Sequence, residues 1–260
     1  MNKFLKSLPY LFFIALFGLT LFSFTTEEVT NFIVVIDAGH GGKDPGCLGN
    51  KAKEKDIALA VALKVGNYIK ENLKDVKVVY TRDSDVFVEL DERTTIANRS
   101  KADLFISIHC NAAKNKAVLG AETYTIGMHK TDGNLEVAMR ENAVILKEED
   151  HKEKYQFDPH SIISYIKMSN FQSANQTKSI DFATKVQKQF EERVNRENRG
   201  VKQSGFLVLW KTAMPAALIE IGFLTNVKEE DYLKTDNGQN YIASGIYRAF
   251  KEYKNEVSAK

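Results

Sequence analysis

Residues 32–37 (FIVVID) form a nearly unbroken apolar, β-branched run, the pattern of a strand covered on both faces. A glycine-rich loop follows. From Glu54 onward Ile57, Val61, Val65, Tyr68, Ile69 and Leu73 recur at helical spacing, and residues 76–81 then resume strand character. This is a β-α-β unit. Residues 91–99 predict a short polar helix, residues 103–110 (DLFISIHC) another buried strand, and residues 120–126 a further one. Residues 206–209 and 216–221 read as two more strands, and Tyr241, Ile242, Ile246, Ala249, Phe250 and Tyr253 mark a closing helix. The alternation predicts an α/β domain, a mostly parallel twisted sheet with helices on both faces.

Between residues 127 and 200 the alternation breaks, leaving two or three helical patterns and no strand: a helical insertion before the last two strands. Residues 135–147 are amphipathic but highly charged, and residues 148–160 are polar and turn-like. Phe182, Val186, Phe190 and Val194 form a stripe at i, i+4, i+8, i+12, the one pattern here that must pack on the core. Residues 147–154, dense in both signs, read as a solvated face.

Composition narrows the classes. With 260 residues, 43% of them apolar and 27% charged, the chain is of ordinary globular make-up and long enough to bury a core unaided. A net charge of +2 excludes a strongly basic nucleic-acid binder. Cys47 and Cys110 are too few for a disulfide scaffold. At the N-terminus, Lys3 and Lys6 precede an uncharged stretch over residues 8–24. That pattern marks an exported protein of the periplasm or cell envelope, and it fits either a removed signal peptide or a retained membrane anchor over residues 1–24. The folded domain then runs over residues 30–258.

Ligands in open α/β sheets collect beyond the carboxyl ends of the strands. His40 follows the first strand, His109 ends the 103–110 strand, Glu220 ends the 216–221 strand, and Glu54 opens the helix after the glycine loop, so all four can face one rim. Two imidazoles and a carboxylate are a recurrent catalytic zinc set, with a second carboxylate as general base. A buried unpaired carboxylate is costly, so Glu220 within ALIEIGF needs a cation, a donor or a metal beside it. Phosphate-binding readings of the loop fail, because Asp44 stands where a Walker loop needs Ser or Thr after Gly42-Lys43, and where a dinucleotide fingerprint needs glycine. There is no G-x-S-x-G, and Cys110 points away from His109 on a strand, as a structural thiol.

The combination VVIDAGHGGKDPG (34–46), Glu54, ERTTIAN (92–98), SIHCNA (107–112) and ALIEIGFLTN (217–226) resembles the zinc-dependent N-acetylmuramoyl-L-alanine amidases of bacteria. The resemblance implies that His40, Glu54 and His109 hold one zinc ion per chain and that Glu220 is the general base and acid. It implies a peptidoglycan substrate, cleaved between the muramic lactyl group and L-alanine. Arg93 and Asn111 are candidates to bind substrate, and Asp37 a candidate to orient a ligand from behind; Glu122 is not expected to reach the metal. Some relatives carry a helix that covers the site until an activator protein moves it, and residues 127–177 have room for one, with 135–147 as the blocking helix. Two alternatives remain: a zinc hydrolase cutting another envelope amide such as a peptide crosslink, and a wall-binding protein with a degenerate site.

Overall fold

The structure, a computed structural model, describes residues 32–169 and 174–259. The stretch read as signal or anchor lies outside the described residues, and among them no helix is long and apolar enough to cross a membrane. The elements run β1 (Phe32–Ala38), α1 (Glu54–Asn72), β2 (Val76–Tyr80), α2 (Leu90–Arg99), β3 (Leu104–Asn111) and β4 (Ala121–Ile126). Then come α3 (Asp132–Asn142), a 3₁₀ turn (Ala143–Lys147), α4 (His151–Tyr155), α5 (Ile162–Ser169) and α6 (Gln176–Glu192). The chain closes with β5 (Asn198–Ser204), α7 (Leu207–Trp210), β6 (Ala216–Phe223), α8 (Val227–Leu233) and α9 (Asp236–Ser258).

The six strands form one sheet in the order β2-β1-β3-β6-β4-β5. Every pairing is parallel except β4 with β6, so β4 and β5 begin at the rim where β1, β3 and β6 end. Strand alternation divides the interior in two. Val34, Ile36, Ile106, Ile108, Cys110, Ala217 and Ile219 face one core, covered by α1, α6 and α9 through residues such as Val61, Val65, Phe182, Val186, Phe190, Ile246 and Phe250. Val35, Phe105, Tyr124 and Leu218 face the other, covered by α2, α3, α5 and α7. Asp37, His109, Glu122 and Glu220 continue this second row, so the polar rim lies under the helices of the insertion.

Two expectations fail here. Residues 206–209 are not a strand: Leu207–Trp210 is a single helical turn buried against the second core. The missing strand is Asn198–Ser204, whose NRGVKQS has a single large apolar residue because it closes the edge of the sheet. The packing expected of Phe182, Val186, Phe190 and Val194 is present, but α3 packs too, burying Leu135, Val137 and Ala138.

Candidate metal centre

After β1 the backbone turns sharply, with Gly41 and Asp44 exchanging hydrogen bonds of 3.0 Å between their backbones. His40 sits in the left-handed region at φ 59°, a strained position for a residue with a Cβ, worth roughly 1–3 kcal/mol and paid by its surroundings. Two buried arginines hold it there. Arg82 donates to the carbonyls of Ala38 (2.9 Å) and Gly39 (2.7 Å), and Arg93 to those of Ala38 (2.7 Å) and His40 (2.6 Å). Glycine is required at two points in this wall. A Cβ on Gly39 would lie 2.4 Å from the His109 ring, and one on Gly46, at φ 69°, would lie 2.6 Å from both His40 and Glu54.

The loop presents His40 to His109, with ring centroids 4.9 Å apart. Glu54 reaches the same point from the first turn of α1: its Oε1 is 3.1 Å from His40 Nε2 and 3.0 Å from His109 Nδ1. Its carboxylate is fixed by the backbone amides of Cys47 (2.7 Å) and Cys110 (2.8 Å). The fourth member is Glu141 of α3, whose Oε2 lies 3.1 Å from His40 Nε2 and 3.0 Å from His109 Nδ1. One donor atom from each of the four lies within 4.8 Å of the others, and all four residues are buried. His40 Nε2 and Glu141 Oε2 have no hydrogen-bond partner among the described residues. Two nitrogens and two carboxylate oxygens converge on one point, and only one pair of them, His109 Nδ1 and Glu54 Oε1 (3.0 Å), is hydrogen-bonded, a set that could hold a divalent metal ion.

Charge in the site is tightly balanced. Burial opposes a charged His40, but Glu54, Asp44 and Glu141 together lift its pKa well above the usual value. His109 goes to about 9, again against burial, through Glu141 and Glu54. Burial works against ionised Glu54 as well, yet His40 and His109 bring it down to about 2. Glu220 behaves oppositely: burial, then the charge of Glu141, push it well above the carboxylate range against the pull of Arg140. Its register partner on β3 is His109, so it stands beside the four donors. Neither of its carboxyl oxygens has a hydrogen-bond partner among the described residues, and the Arg140 guanidinium stands 3.5 Å away.

The structure thus brings His40, Glu54, His109 and Glu220 to one rim. It moves other residues from where the sequence suggested. The residue that orients His40 is Asp44, at 2.6 Å from Nδ1, whereas Asp37 binds Thr81, Ser107 and Arg93 beneath the loop. Arg93, 2% exposed, is a support of the His40 loop and not a group offered to a ligand, since its guanidinium is consumed by Asp37 and three carbonyls. Asn111 is buried at the rim between Glu122 (2.5 Å) and Arg140 (3.0 Å). Glu122 is not among the donors. Residues 147–154 are mostly exposed, as a solvated face should be, with one exception: Glu148 is buried and accepts from Leu90 N and the Tyr155 hydroxyl, while at the two ends Lys147 bonds Asp44 at 2.6 Å and Lys154 pairs with Glu89.

Glu141 is the residue sequence reasoning missed. A signal exists, because on α3 Val137, Ala138, Glu141 and Asn142 share one buried face, so two polar residues continue an apolar stripe. Polar groups carried into a buried row need partners, and here the partner is the centre.

A family model described as N-acetylmuramoyl-L-alanine amidase matches residues 34–252. The chain is 31% identical over 225 residues to the N-acetylmuramoyl-L-alanine amidase AmiC of Escherichia coli O6:H1, an alignment covering 85% of this chain and 52% of that protein. Among solved structures, the catalytic domain of the amidase CwlV from Bacillus (Paenibacillus) polymyxa is 34% identical with a TM-score of 0.64, over 86% of this chain and 98% of that one. The CwlD amidase of Clostridioides difficile, solved in complex with the GerS lipoprotein, is 26% identical with a TM-score of 0.65, over 86% and 99%.

Proposed function

The chain belongs to the N-acetylmuramoyl-L-alanine amidase family of hydrolases, and from that premise we propose that it is a zinc enzyme cleaving peptidoglycan between muramic acid and the L-alanine of the stem peptide. The observation that carries the proposal is the convergence of His40, Glu54 and His109 beside Glu220, a buried carboxyl without a hydrogen-bond partner. His40, Glu54 and His109 hold the ion; Asp44 on His40 Nδ1 leaves Nε2 facing it. Zinc, when bound, supplies Lewis acidity that makes water a nucleophile at neutral pH and draws charge from the scissile carbonyl oxygen. Glu220 takes the proton from the attacking water and returns it to the departing alanine nitrogen. Burial and the charge of Glu141 raise its proton affinity in the described arrangement, and moving Glu141 away removes one of these causes and favours the ionised form a base needs.

The same geometry supports regulation by α3. Glu141 occupies the position that substrate needs, Arg140 engages Asn111 (3.0 Å), the Ala112 carbonyl (3.1 Å) and Glu220, and Lys147 ties the following turn to Asp44. In this reading the described arrangement is a closed state, and an activator protein acting on residues 127–177 lifts α3. The export pattern of residues 1–24 supports an envelope location, where the proposed substrate lies.

The test is mass spectrometry of peptidoglycan digested by the full chain and by its Glu141→Gln variant, both supplied with zinc. Stem peptides headed by a free L-alanine amine are expected; cleavage at a peptide crosslink, or binding without products, would replace this reading with one of its two alternatives.

A further inference from the structure

A cavity of about 750 Å³ opens next to the centre, walled by the ends of β3 and β6, by β4 and β5, and by α3. Four cations, Lys114, Arg140, Arg199 and Lys202, line it against two carboxylates, Glu122 and Glu136. Lys114 and Glu136 pair with each other at 3.2 Å on exposed side chains, so the excess positive charge lies deeper. There Glu122 already accepts hydrogen bonds from Asn111 (2.5 Å) and Tyr124 (2.8 Å), while Arg199 (3.2 Å) and Lys202 converge on its other oxygen. One carboxylate is left facing two cations. Glu197, 3.8 Å from Arg199, is exposed and screened by solvent. Both cations are held in place by rings, Arg199 5.2 Å from the centre of Phe223 and Lys202 5.8 Å from that of Tyr124, and both side chains stay partly open, 30% and 23% exposed.

What this cavity receives follows from its position. Glu122 is the cross-strand partner of Glu220, and Arg140 of the cavity wall joins the two regions, one of its nitrogens lying 3.5 Å from Glu220 and 3.0 Å from Asn111 Oδ1. When an amide is cut, the nitrogen leaves with the proton it is given, so the chain attached to that nitrogen must lie against the residue that protonates it. If Glu220 does so, the cavity lies on the amine side of the scissile bond.

We infer that the cavity is the subsite for the stem peptide, and that Arg199 and Lys202 bind a carboxylate of that peptide; the inference rests on the amidase reading above. Arg199 places Nε on Glu122 and Nη1 near the Leu119 carbonyl (3.5 Å), so it offers a ligand only part of its guanidinium; beside an ammonium that still favours a carboxylate over its neutral amide. The subsite therefore selects stem peptides whose carboxylates are free.

α3 supplies one wall and Arg199 and Lys202 of β5 the other, so binding is measured by titration calorimetry on the zinc-supplied Glu141→Gln chain, in which α3 is free to move, with the wild-type chain alongside. The probes are a synthetic tripeptide headed by L-alanine with free carboxylates, and the same tripeptide fully amidated. The free-acid peptide is expected to bind about tenfold or more tighter than the amide, the value of one charge-assisted hydrogen bond. Lys202→Gln and Arg199→Gln, made singly so that Glu122 keeps one partner, are expected to remove that preference, and Lys202→Arg to restore it. Equal binding of the two peptides, no binding of either, or a preference untouched by both variants overturns the subsite. Hydrolysis of muramyl peptide by the same preparation separates the two claims. Binding with the expected preference but no hydrolysis leaves the subsite standing and sinks the amidase reading; hydrolysis without the preference does the reverse.

Discussion

Replacing Glu141 by glutamine removes one negative charge from the point where α3 meets the centre and leaves the helix the same size. In the described arrangement that charge lies 3.1 Å from His40 Nε2 and 3.0 Å from His109 Nδ1, buried. Interactions of a buried ionised group of this kind are worth roughly 1.5–3 kcal/mol each. Lys147, with 44% of its side chain exposed, adds at most about 1 kcal/mol through Asp44. If α3 is the proposed barrier, loss of about 2–3 kcal/mol from its closed position alone raises the open-to-closed ratio roughly 30- to 150-fold. The assay is the rate of alanine-amine release from a soluble muramyl peptide, with zinc content and melting temperature measured on the same preparation. A rise of about 30-fold or more in the absence of any activator is expected. A folded, zinc-loaded Glu141→Gln variant with the wild-type rate or a lower one would refute the reasoning, since Glu141 would then be an ordinary ligand and α3 no barrier.

Glu220→Gln keeps its shape but can no longer move a proton, so zinc binding should persist while turnover falls about 10²- to 10⁴-fold; an unchanged rate would remove Glu220 from the chemistry. Arg93→Met leaves Asp37 charged and buried without its cation, which costs about 3–5 kcal/mol and should lower the melting temperature in calorimetry by about 10 °C. A shift within error would show that Thr81 and Ser107 suffice for Asp37. Gly39→Ala drives a methyl into the His109 ring, and competition with a chelator should show zinc held at least tenfold more weakly; unchanged affinity would mean that the ring yields without cost.

The parts of this molecule that local pattern could reveal are those whose residues are chosen by immediate neighbours. The strands β1, β3 and β6 are apolar on both faces because two layers of helices cover them, and His40, His109 and Glu220 stand out as polar groups at their ends. Glu54 is legible for a related reason, opening a helix after a glycine loop. The short apolar run LVLW could not be assigned, because four buried residues look alike as a strand or as one helical turn. β5 was hidden by its edge position, which leaves most of its side chains half-exposed. Glu141, Asp44 and Arg82 escaped because their roles depend on segments distant along the chain meeting in space. Arg82 lies on the loop after β2 yet holds the carbonyls before His40, and Glu141 sits in a charged helix whose meaning appears only when that helix closes over the rim. In the charged run 147–154 the exposure was legible, but the pairing of its ends with Asp44 and Glu89 is invisible to composition.

The most direct test of the account is a zinc titration of the chelated Glu141→Gln chain, followed through the release of stem peptides with a free L-alanine amine. Activity should be absent without metal, rise linearly, and break at one zinc per chain, with Glu220→Gln added to the same chain binding the ion but releasing no peptide. Activity in the metal-free protein, or zinc binding that never produces a free alanine amine, would contradict it.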